Sequence, residues 1–117
     1  MIEYSIAEMS KWMAATHTDT HLHLMITRYL LGQSSTSMTY CLRGHAPVLC
    51  TLAAVQDRLG WDNFVEGRIS SVFLEAVKPA LSRHQSRMTP EKWCEKLITQ
   101  LLQLTHKQWL FRNSYVH

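Results

Sequence analysis

Three histidines and an aspartate crowd into seven residues, His17, Asp19, His21 and His23. Histidines four apart on a helix can share a divalent metal, and an aspartate can add an oxygen ligand. His17 and His21 straddle an expected helix start, where that spacing no longer holds two side chains on one face. Polar capping and solvent exposure therefore account for the group better, and no metal or other cofactor is expected. Cys41, Cys50 and Cys94 are the thiols. An odd number without CxxC pairing makes neither a disulfide framework nor a zinc ribbon. None has a histidine neighbour suited to thiolate chemistry, so all three are expected to be buried structural cysteines.

Charge is the second source of chemistry. The net charge is +3 with histidine neutral. Residues 1–75 hold five Lys and Arg against seven Asp and Glu, and residues 76–117 hold seven against two, so a −2 part precedes a +5 part. Lys78, Arg83, His84 and Arg87 are expected to carry uncompensated charge, and no acid follows Glu95, whereas Lys96, Lys107 and Arg112 do. Such a surface favours an acidic partner, nucleic acid being the commonest. Lys78, Arg83, Arg87, Lys96, Lys107 and Arg112 are the candidate contacts. No GxSxG, Walker or GxGxxG string occurs, and a two-metal carboxylate site has too few acids in the C-terminal part.

The final string, Trp109-Leu110-Phe111-Arg112-Asn113-Ser114-Tyr115-Val116-His117, resembles the Arg-x4-His signature of HEPN domains. These are small helical bundles that include metal-independent endoribonucleases. The resemblance implies Arg112 and His117 as catalytic residues, with Asn113 in support. Histidine would act as base at a 2′-hydroxyl and arginine would hold the developing phosphorane charge, in one protomer or across a homodimer.

A broader likeness rests on Val55-Gln56-Asp57-Arg58-Leu59-Gly60-Trp61, Phe64-Val65-Glu66-Gly67, and Leu97-Ile98 to Leu101-Leu102 followed by Thr105-His106-x-Gln-Trp-x-x-Arg-Asn-x-x-x-His. These strings resemble an uncharacterised helical region of retroelement-derived proteins, found near reverse-transcriptase domains. The resemblance runs from about Lys11 to His117 and implies a mobile-element context, nucleic acid as partner, and a chain shortened at its C-terminus. No polymerase carboxylates accompany it.

The elements that must position these residues are helical. A length of 117 residues, 46% apolar, with four glycines and three prolines, fits one all-α domain over residues 1–117. Period-two alternation and hairpin dipeptides are absent. Ser5 and Glu8 fit a capping box for a first helix ending near Ala15. Thr18 or Asp19 caps a second, which Gly32 stops. A short element covers Met38 to Leu42. Pro47 opens a helix to Leu59, apolar enough to be the central buried one, with Gly60 beyond it. Asp62 is expected to cap a helix from Asn63 to about Val77, where Pro79 kinks or restarts the chain. Thr89-Pro90 starts the last helix, with Trp93, Leu97, Leu101 and Leu104 inward.

The expected architecture is an irregular or orthogonal bundle of five or six helices. The acidic amphipathic N-terminus is no secretory signal, and no apolar run is long enough to span a membrane. An intracellular protein, cytoplasmic or nuclear, follows. Three functions fit: a non-catalytic module binding nucleic acid, a HEPN-like endoribonuclease, and a purely structural or oligomerisation domain. The first is favoured and enzymatic activity is not.

Overall fold

The computed structural model describes the backbone of residues 2–42 and 47–116, and side chains over 5–42 and 47–106. Among the described residues there are seven helices and no strand, so the chain is all-α. They are α1 (Ile2–Ala15), α2 (Thr20–Gly32), α3 (Met38–Cys41), α4 (Pro47–Leu59), α5 (Trp61–Val65), α6 (Val72–Arg83) and α7 (Pro90–Val116). No helix among the described residues is long and apolar enough to cross a membrane.

Apolar side chains from all seven helices form one core. A chain of aromatic contacts crosses it. Trp12 stacks on Trp93 at 5.4 Å, Trp93 faces Phe73, and Phe73 faces Phe64. Phe64 meets the edge of Tyr29, which also meets Trp61, each at 5.2 Å. Offset and edge contacts of this kind add to the burial energy of the rings. The indole of fully buried Trp93 donates to the Thr18 hydroxyl at 2.8 Å, so its one polar atom is satisfied. The last helix is thereby fastened to the joint between α1 and α2.

Several helix ends follow the sequence. The Asp19 side chain accepts from Leu22 N at 3.0 Å and caps α2. The Thr89 hydroxyl accepts from Lys92 N at 3.1 Å, with Pro90 at the first helical position of α7. Trp93, Leu97, Leu101 and Leu104 all point into the core.

Other ends differ. The first helix begins at Ile2, so Ser5 lies within it and is no cap. With neither glycine nor proline ahead of Ser5, an established helix propagates backward at little cost. Gly32 is the last residue of α2, and Gln33 takes the left-handed conformation instead, with φ 47°. A Cβ at Gly32 would stand 2.7 Å from Thr36 Oγ1, so the glycine serves a close approach. Pro79 stays inside α6 without ending it. Pro79 and Glu75, whose carbonyl loses its partner there, are both exposed or half-exposed, so water can take that hydrogen bond.

The expected helix from Asn63 to Val77 is two helices, with Asp62 inside the first. Residue 67 decides this. Gly67 has φ 84°, and a Cβ there would lie 2.9 Å from Ile98 Cγ2 on α7. The chain turns at Gly67 and runs non-helically to Ser71, where Gln56 of α4 holds it. The buried Gln56 amide donates to Arg68 O at 3.1 Å and accepts from Ser70 N at 3.0 Å. Helix α4 itself is buried along one stripe, Leu49, Leu52, Ala53 and Gln56. Cys50, Thr51 and Ala54 are exposed, so α4 is not an all-round buried helix and Cys50 is not a buried cysteine.

Candidate nucleic-acid interface

The joint between α6 and α7 gathers the cationic residues most closely. His84 ends α6, its backbone N–H reaching Ala80 O at 3.1 Å. Gln85 adopts φ 51°, and Ser86 N closes the turn onto Leu81 O at 2.9 Å. The Ser86 hydroxyl then accepts from Met88 N at 3.1 Å. This hydrogen-bonded turn carries Arg83, His84 and Arg87, all exposed. The imidazole of His84 stacks on that of His17, from the joint between α1 and α2. Two joints far apart in sequence thus meet at the basic end, a juxtaposition no sequence spacing announces.

Three ion pairs exist among the described residues, Lys11–Glu8, Arg68–Glu66 and Lys78–Glu75. The last corrects one expectation. Lys78 is 3.0 Å from Glu75, one helical turn earlier, and is compensated. At 100° per residue, Lys78 and Arg83 also stand about 140° apart around α6, so they do not share a face. Arg83, Arg87, Lys92 and Lys96 make no ion pair among the described residues, and no described carboxylate of the N-terminal part reaches them. Lys92 and Lys96, four apart and exposed on α7, lie outside the buried stripe of Trp93 and Leu97. Lys107, Arg112 and Asn113 belong to the continuous helix α7, but their side chains, like all of His117, lie outside the described residues.

The N-terminal histidines separate. His17 is in the stack, His21 is exposed, and His23 Nε2 shares a 2.7 Å hydrogen bond with Ser10 Oγ of α1. Among the described residues no group of three or more His, Cys, Asp or Glu could hold a metal ion. Burial lowers the His23 pKa below its ordinary 6.5, which keeps the imidazole neutral near pH 7. A hydroxyl against a neutral imidazole is the first half of an activated nucleophile. Ser10 sits in the middle of α1, however, so its own backbone N–H serves the helix ladder and cannot form an oxyanion hole. The pair ties α1 to α2.

Two other groups are shifted by the core. Burial pushes the Cys94 thiol up to about 11, with Glu91 adding to it. Burial also raises the Tyr29 phenol to about 12, followed by the charges of Asp57, Cys41 and Asp62. Neither is poised for chemistry at neutral pH.

The chain matches no family model, no curated protein and no solved structure.

Proposed function

We propose that this protein is a non-catalytic helical module that binds nucleic acid through the end of the bundle formed by the α6–α7 joint and the exposed face of α7. The observation that carries the reading is the lack of carboxylate partners for Arg83, Arg87, Lys92 and Lys96 among the described residues. Exposed cations left unpaired are available to phosphates, and their long side chains can follow a backbone. The His17–His84 stack contributes a flat polar edge. The likeness to the retroelement-associated helical region agrees with a nucleic-acid partner.

The test is filter binding of a labelled single-stranded RNA to the full chain over a salt series. Affinity is expected to fall steeply as salt rises. Arg83→Gln with Arg87→Gln should lower the log–log slope by roughly 0.7 for each phosphate no longer neutralised. Binding that ignores salt, or a double variant indistinguishable from wild type, would overturn the reading.

A further inference from the structure

A separate cavity opens beside α2, away from the basic end. It occupies about 410 Å3 and is lined by Arg28, Gly32, Thr36, Tyr40, Cys41 and Leu42. Its volume lies within the range of small-molecule sites.

Two of its lining residues stand without partners among the described residues. Arg28 is half-buried, yet makes no ion pair or hydrogen bond there. An arginine beside a cavity with no carboxylate committed to it is available to an anion. Asp57, the carboxylate that reaches α3, is already committed. Its oxygens accept from Met38 N at 2.7 Å, Thr39 N at 3.1 Å and Thr39 Oγ1 at 2.6 Å. Tyr40 is the second. It is 78% exposed, and among the described residues its ring stacks on no other and its hydroxyl makes no hydrogen bond. The remaining walls are small or apolar, and Thr36 Oγ1 lies 3.4 Å from Cys41 Sγ.

We infer that this cavity binds a small phosphate ester carrying a flat ring, a mononucleotide in chemical class. The planar fork of Arg28 suits two phosphate oxygens at once, with the Thr36 hydroxyl as a further donor. The ring of Tyr40 supplies a face on which a base can stack. A Cβ at position 32 would stand 2.7 Å from Thr36 Oγ1, so glycine leaves that hydroxyl its place in the wall. The site depends on none of the residues of the basic end.

Titration of the full chain with AMP, inorganic phosphate and adenosine, followed by amide chemical shifts, tests this. AMP is expected to saturate, phosphate to bind the same residues more weakly, and adenosine to be weakest. Arg28→Gln should weaken AMP and phosphate by about tenfold or more, as expected for loss of a charge-assisted bidentate contact. Tyr40→Ala should weaken AMP while leaving phosphate unchanged. Arg83→Gln with Arg87→Gln should leave AMP binding as in wild type, which separates this site from the RNA surface. Neither Arg28 nor Tyr40 belongs to the core, and an unchanged thermal melt verifies each variant. AMP that fails to saturate by about 10 mM, where the binding energy is under 3 kcal/mol, would overturn the inference. So would saturation that Arg28→Gln leaves untouched, or that the Arg83/Arg87 double variant abolishes.

Discussion

His17 and His84 lie with their imidazole planes within 12° and their centroids 4.4 Å apart. Neither is on a long helix face. His17 holds φ 57° just after α1, and His84 is the residue that ends α6. The stack joins two turns that lie far apart along the chain. A double-mutant cycle with His17→Ala and His84→Ala, measured by urea unfolding, should give a coupling of about 0.5 kcal/mol. That is the low end for aromatic pairs because both rings are exposed. A coupling indistinguishable from zero would mean that the rings merely lie near one another.

Gln56 is the residue on which the break between α5 and α6 most depends. Its amide answers two backbone groups of a non-helical segment, and Ser70 itself is buried. Gln56→Leu keeps roughly the same volume and removes both bonds, leaving a backbone donor and acceptor without partners. The expected loss is about 2–4 kcal/mol in chemical denaturation. A loss under about 0.5 kcal/mol, the scale of an ordinary surface substitution, would show that the segment is held by other means.

His23 sets a pH dependence. Its folded pKa is depressed below 6.5 by burial, so the unfolded chain binds the proton more readily. The stability it contributes is complete above the unfolded value and is lost as pH falls through 6.5 toward the folded value. The folded population should therefore weaken on acidification below pH 6.5, and His23→Gln should flatten that part of the profile. NMR titration of the His23 ring gives the direct measurement; a midpoint above 6.5 is the contrary result.

The thiols should divide by exposure. Cys50 is exposed on α4, whereas Cys41 and Cys94 are buried and Cys94 is pushed up to about 11. Ellman's reagent at pH 8 is expected to titrate one thiol quickly in the native protein, and Cys50→Ser should remove that phase. The other two should react much more slowly, because burial limits the reagent's access and, at Cys94, also suppresses the thiolate. Fast reaction of two or more thiols would contradict this burial pattern.

Gly67 is expected to tolerate no side chain. Alanine there must adopt φ 84° and push against Ile98 Cγ2. A cost of about 1–3 kcal/mol is expected in urea unfolding from the strain in the left-handed region and the overpacking together. Asn, which accepts that backbone region more readily, should recover little because the contact with α7 remains. An alanine variant as stable as wild type would contradict both terms.

Local chemistry is readable wherever it sits in a few adjacent residues. Asp19 and Thr89 show as caps because a short polar side chain before an apolar period can bond the next free N–H groups. The bounds of Pro47–Leu59 follow from a first-turn proline and a following glycine, and the stripe from Trp93 to Leu104 follows from helical spacing. All-α character is legible for the same reason, since period 3.6 is a property of the string alone. What the string does not decide is the choice between two locally permissible outcomes. Residues 63–77 keep an apolar helical period, and only Gln56 and the approach of α7 to Gly67 make them turn. The apolar run of α4 conceals which residues face out until its neighbours take one side, and so Cys50 reads as buried until they do. The His17–His84 stack and the cavity beside Arg28 depend on joints and helices meeting across the chain. Secondary structure is written by neighbours along the chain; exposure, pairing of charges and sites are set by neighbours in space.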